Sequence, residues 1–231
     1  MSKVPWHLKG IRKLVYCALG IALLGIAISS ALYSTNASQA WIAARQLYGL
    51  WALALLVASM LPGPLVFALP WMPFKAHLIM GRRALGISSF FMAMSHVACW
   101  LGPLVYFGNW RHFYAPGNLW ICGLLIGLAN FLLLGTLAAT SKRKSIRNLG
   151  PRRWKALHRL VYFLLPAVLL HATFTGVDFG VNKGPDVTGD VYAGCLVGML
   201  LLSLAWLTLF VLRKNRVRWV PSILKKPQVS G

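Results

Sequence analysis

Six runs of about 20 apolar residues, joined by short links, restrict this chain to one kind of architecture. They lie at about 14–33, 47–69, 84–106, 119–140, 156–176 and 191–212. A helix rising 1.5 Å per residue needs roughly that length to cross a hydrocarbon core of about 30 Å. Lipid offers no partner for backbone N–H and C=O groups, so runs of this kind cross as helices. The expected fold is an all-α integral membrane protein, a bundle of six transmembrane helices forming a single domain over residues 1–231. None of the links is long enough to hold a soluble domain.

Charge sets the expected orientation. The chain has 24 Lys and Arg residues against three acidic ones, Asp178, Asp186 and Asp190, giving a net charge of +21. A balance of this kind in a soluble protein would point to nucleic acid. Here the cations fall in short groups between apolar runs, which excludes that reading in favour of cytoplasmic loops facing membrane lipid. One side collects Lys3, Lys9, Arg12 and Lys13, then Lys75, Arg82 and Arg83. To it also belong Lys142, Arg143, Lys144, Arg147, Arg152, Arg153, Lys155 and Arg159, and the tail from Arg213 to Lys226. The other side has only Arg45, Arg111 and Lys183, with all three Asp. Both termini are therefore expected in the cytoplasm. The basic start and the small residues near Ser38-Gln39-Ala40 resemble a signal peptide, but a run of about 20 exceeds the 7–15 apolar residues of such a segment. A retained first helix is expected. The Asn36-Ala37-Ser38 sequon is given no role.

Other residues read as structure. Cys17, Cys99, Cys122 and Cys195 sit in different apolar runs, without the spacing of a zinc site, c-type haem or disulfide framework. Gly123-xxx-Gly127 and Gly194-xxx-Gly198 read as close helix packing. Trp41, Tyr48, Trp71, Trp110, Trp120, Trp154 and Trp219 lie near the predicted helix ends, as an interfacial belt does.

With loop residues set aside, the expected ionisable groups inside the membrane are three imidazoles: His96 in helix three, and His158 and His171 in helix five. His7, His77 and His112 fall in predicted loops or the N-terminal arm. No carboxylate is available for proton or cation coupling, which argues against an ion-coupled transporter. Imidazole is a common axial ligand of haem iron. His96 lies about 20 Å along helix three from Arg83, and His171 about 24 Å along helix five from Lys155. At matched depth on helices running the same way, the two can clamp one haem. His158 lies about 20 Å nearer the cytoplasm, a depth suited to a second haem. On an ideal helix His158 and His171 point roughly 140° apart, with Pro166 between them as a place to kink or retwist. The second ligand of an inner haem is left among His77, Arg82 and solvent. Arg82, Arg83, Arg152, Arg153 and Arg159 can pair with haem propionates or with lipid phosphates.

Two segments carry a resemblance. Gly81-Arg-Arg-Ala-Leu-Gly-Ile-Ser-Ser-Phe-Phe-Met-Ala-Met-Ser-His96 resembles the third helix of the ferric-reductase-like transmembrane superfamily. Arg153-Trp-Lys-Ala-Leu-His158-Arg-Leu-Val-Tyr162, followed by Leu169-Leu-His171, resembles the fifth. Over residues 45–176 the chain is most similar to the MsrQ (YedZ) type, haem-binding membrane subunits of bacterial periplasmic methionine-sulfoxide reductase systems. It departs at Ala172-Thr173, where that type has an aromatic residue. The resemblance implies one or two b-type haems held by His96, His171 and His158, and allows a loosely bound FMN. It implies a bacterial inner-membrane location and electrons delivered to a periplasmic molybdopterin reductase. With no Gly-rich nucleotide loop in the sequence, the donor is expected to be a separate cytoplasmic flavin reductase or the quinol pool. The rival readings are a stand-alone ferric or cupric reductase and, more distantly, a haem-free small transporter or assembly factor.

Overall fold

The computed structural model describes residues 6–68, 71, 73–108, 118–175 and 208. Among the described residues the elements are seven helices: α1 (Trp6–Leu32), α2 (Ala37–Met60), α3 (Pro62–Ala68), α4 (Lys75–Phe107), α5 (Asn118–Ala139), α6 (Arg143–Arg159) and α7 (Val161–Thr175). Among the described residues there is no strand. Five stretches among the described residues are long and apolar enough to cross a bilayer: Gly10–Leu32, Ala37–Met60, Lys75–Val105, Trp120–Ala139 and Lys144–Thr175. Large apolar side chains such as Leu14, Ile21, Leu24, Leu125, Leu132 and Phe163 cover the outside of these helices. This is a multi-pass membrane protein. The sixth predicted helix, 191–212, lies outside the described residues except for residue 208, and the three Asp, Arg111, Lys183 and the basic tail lie outside them entirely.

Helix two differs from its predicted span of 47–69, and the reasons are local. Asn36, extended at φ −151° and ψ 164°, accepts from the Gln39 N–H at 2.9 Å. The Gln39 side chain reaches back to the hydroxyl and N–H of Thr35. This cap resembles a capping box, shifted back by one residue on the Gln39 side, and it starts α2 ten residues early. At the other end Pro62 cannot continue α2 but is well suited to open a new helix, so the run breaks there. Arg45, read as a loop residue, is therefore a helical residue well inside a span. Tyr48, expected at the interface, is buried, and its hydroxyl donates to the Leu23 carbonyl of α1 at 2.9 Å.

The basic link after α5 is also helical. Within α6, Gly150 takes φ 74°, a left-handed value that glycine adopts without strain, immediately before Pro151 restarts the helix. Between His158 and α7 the chain tightens through i to i+3 bonds, Leu160 N to Leu157 O and Phe163 N to Leu160 O, each 3.0 Å. The retwist expected near Pro166 is thus found at residues 157–163, where the winding is 3₁₀-like.

Packing is pairwise. α2 lies along α4, tied by the Ser89 hydroxyl to the Ala52 carbonyl at 2.7 Å, and α5 lies along α7. Phe90 of α4 stacks on Phe131 of α5 with ring centres 5.6 Å apart and presses on Gly135. Leu56, Met60, Leu134, Leu137, Leu164 and Leu165 fill the space between the pairs toward one end. That end carries Lys75, Arg82, Arg83 and the cations of α6, and is called here the basic end.

Candidate functional site

α4 and α7 each bring one histidine to the same level, toward the far end of the bundle from the basic one. The His96 and His171 rings stand 6.3 Å apart, centre to centre, with their planes 85° apart. Each ring is oriented by a backbone carbonyl of the helix beside it. His96 Nδ1 bonds the Arg45 carbonyl of α2 at 2.8 Å, and His171 Nδ1 bonds the Gly123 carbonyl of α5 at 2.8 Å. A carbonyl only accepts, so Nδ1 is the protonated nitrogen on both rings and Nε2 keeps its lone pair.

The sequence makes room for both rings in the same way. The residue four beyond each accepting carbonyl is glycine. A Cβ on Gly49 would stand 2.8 Å from His96 Nδ1, and one on Gly127 would stand 2.5 Å from His171 Nδ1 and Cε1. Gly123 is equally tight, its Cβ position lying 2.6 Å from Thr175 Cγ2. The Gly123/Gly127 pair therefore does more than admit a neighbouring helix, because Gly127 admits the imidazole itself. Sequence reasoning assigned Gly127 only to packing and gave Gly49 no role.

These residues meet the requirements of an iron held between two imidazoles. A metal bound through both Nε2 atoms with bonds of about 2.0–2.1 Å would need ring centres no more than roughly 6–6.5 Å apart. The observed separation falls in that range. A carbonyl bonded to the other ring nitrogen is the usual support for a ligating histidine. Two buried polar atoms, Asn130 Nδ2 and Ser88 Oγ, have no hydrogen-bond partner among the described residues. They lie on α5 and α4 between this level and the basic end, where a bound group or water would satisfy them.

His158 is not brought to this pair. It occupies the last turn of α6, with Nε2 3.3 Å from the Thr140 hydroxyl and its ring over that of Trp154, centres 4.2 Å apart. Trp154 in turn donates to the Thr140 carbonyl at 3.0 Å. Trp154, predicted as an interfacial anchor, thus forms one wall of the His158 site. His77 lies edge-on to Phe74 on the first turn of α4. The Arg82 side chain reaches toward Gly63 of α3, and its charge acts on His158.

Comparison with known proteins gives the family of the chain. The family of ferric reductase-like transmembrane components matches residues 48–169, which include His96 and His158 and stop two residues short of His171. The protein-methionine-sulfoxide reductase haem-binding subunit MsrQ of Agrobacterium fabrum is 37% identical over 170 residues, 74% of this chain and 73% of that one. The MsrQ of Rhodospirillum rubrum is 33% identical over 159 residues, 66% of this chain and 67% of its own. That of Ralstonia nicotianae is 29% identical over 204 residues, 87% and 88% of the two chains. The chain belongs to the ferric reductase-like transmembrane component family, as kin of the MsrQ subunits.

Proposed function

We propose that this chain is the haem-binding membrane subunit of a protein-methionine-sulfoxide reductase system. In this reading it moves single electrons across the bacterial inner membrane to a periplasmic molybdenum reductase. The observation that carries it is the His96/His171 pair, spaced for one iron and tied at both Nδ1 atoms. Haem bound there supplies a one-electron couple whose potential depends on its axial ligands and surroundings. The chain's own residues do the rest. The Arg45 and Gly123 carbonyls fix both tautomers and both ring orientations. Gly49 and Gly127 give the rings clearance, and the apolar helices exclude water.

His158 is the ligand for a second haem near the basic end, about 20 Å from His171 along the helices. Its Nε2 makes a long bond to the Thr140 hydroxyl at 3.3 Å, one that iron can replace. The basic end faces the cytoplasm by its excess of Lys and Arg. There the exposed side chains of Lys142, Lys144, Arg147, Arg152, Arg153, Lys155 and Arg159 form a docking face for an acidic flavin reductase, with the quinol pool as the other source of electrons.

The test is a reduced-minus-oxidised absorption spectrum of the purified chain with haem quantified per polypeptide. A low-spin b-type spectrum with a ratio near two is expected. A chain supplied with haem that shows no Soret band would refute the assignment and leave these histidines as packing residues.

A further inference from the structure

Among the described residues, Arg45 is the one Lys or Arg that does not lie toward the basic end. It is eight residues into α2, about 12 Å along the helix, and 15 residues from its end at Met60. An arginine at that depth is costly in lipid and marks function more often than packing. Its backbone carbonyl is the one that receives His96 Nδ1. The side chain is half-buried and, as on any helix, leans toward the helix N-terminus, here away from the basic end. Its positive charge acts on both His96 and Cys99. The same turn of α2 that bonds His96 through its backbone therefore also carries a cation, on the side of the pair away from the basic end.

Adding one electron to an iron between these rings makes the site more negative by one charge. A neighbouring cation in a medium of low dielectric favours that reduced state. We propose that Arg45 raises the reduction potential of the centre held by His96 and His171, so that electrons entering from the basic end run downhill toward the far end. The inference rests on the haem reading above and adds a direction to it. Arg45 is a positioning residue here, acting through its charge and not by ligation. For a unit charge on the order of 10 Å away at an effective dielectric of about 20, the reduction equilibrium is favoured on the order of tenfold.

The experiment is a potentiometric titration of the purified haem-loaded protein, wild type against Arg45→Gln and Arg45→Lys. Arg45→Gln is expected to lower the midpoint of the far-end centre by about tenfold in equilibrium constant, or about 59 mV for one electron. Its low-spin spectrum should be unchanged, because the bond to His96 is made by the backbone. Arg45→Lys keeps the charge and should stay near the wild-type midpoint. If Arg45→Gln does not accumulate, Arg45→Met makes the same test with an apolar chain of similar length. A neutral variant with a low-spin spectrum and the wild-type midpoint overturns the proposal, as does a Lys variant shifted as far as the neutral one. A wild-type chain that binds no haem overturns the haem reading itself, and the two failures are told apart before any variant is titrated.

Discussion

Gly127→Ala adds a single methyl group, and the structure says where it goes. Its carbon would stand 2.5 Å from both Nδ1 and Cε1 of His171. Non-bonded carbons settle at about 3.5–4.0 Å, so the ring must retreat by about 1 Å. That is several times the tolerance of about 0.2 Å on a metal–ligand bond. The same retreat stretches the 2.8 Å bond from His171 Nδ1 to Gly123 past the hydrogen-bond range. Overpacking of this kind costs about 1–3 kcal/mol. If the whole cost falls on the haem-bound state, affinity drops by about 5- to 150-fold. The assay is the reduced-minus-oxidised spectrum with haem per polypeptide, and the expected result is substoichiometric haem with low-spin character lost at the far-end centre. Gly25→Ala in α1 is the control, since a Cβ there meets nothing within 4 Å. It should be neutral or gain up to about 1 kcal/mol of helix propensity. A Gly127→Ala protein with full haem and an unchanged low-spin spectrum would refute the reasoning.

Three further outcomes are expected. His171→Ala removes the far-end haem and all electron delivery to the outside, and added imidazole restores a low-spin spectrum; full activity without imidazole would count against the ligand assignment. His158→Ala lowers the haem ratio from two to one and leaves the far-end centre spectrally intact, so an unchanged ratio would return His158 to a structural role. Raising ionic strength slows reduction by an acidic flavoprotein donor, because exposed cations of α6 are screened over a Debye length of about 8 Å at 0.15 M; rates independent of salt would favour quinol.

Membrane character and the level of the two far-end histidines were legible from run length and rise per residue alone. His96 and His171 are similar distances from the basic groups that begin their helices, and the two helices run the same way. What misled was the boundary of helix two. A hydropathy run places its start near residue 47, but the Asn36/Gln39 cap sets it at Ala37. That cap was present in the sequence as polar residues at three-residue spacing. The shift moved Arg45 from a loop into a span, so the set of intramembrane ionisable groups was one residue too short. The Pro62-Gly63-Pro64 break was equally visible and was overridden by hydropathy. The clearance glycines were not legible at all. Nothing in a sequence distinguishes a glycine facing an imidazole from one facing a neighbouring helix until the partner helix is placed.

The two kinds of histidine site differ in what holds the ring. At the far end both rings are fixed by main-chain carbonyls, each already engaged in its own helical bond to the residue four ahead and offering its second lone pair. That second lone pair can be reached only because the residue four ahead is Gly49 or Gly127, whose missing side chain lets the ring lie against the helix surface. Main-chain acceptors need no rotamer ordering and bring no extra polar side chain into lipid. Such a site holds its ligands rigidly as charge comes and goes. His158 is held by a mixed set of partners, the Thr140 hydroxyl at 3.3 Å, the Thr140 backbone and the Trp154 indole face, on a segment wound with 3₁₀ bonds. In the proposed reading, the centre where electrons leave has the two short main-chain bonds of 2.8 Å, and the one where they enter has the longer 3.3 Å bond to a threonine hydroxyl.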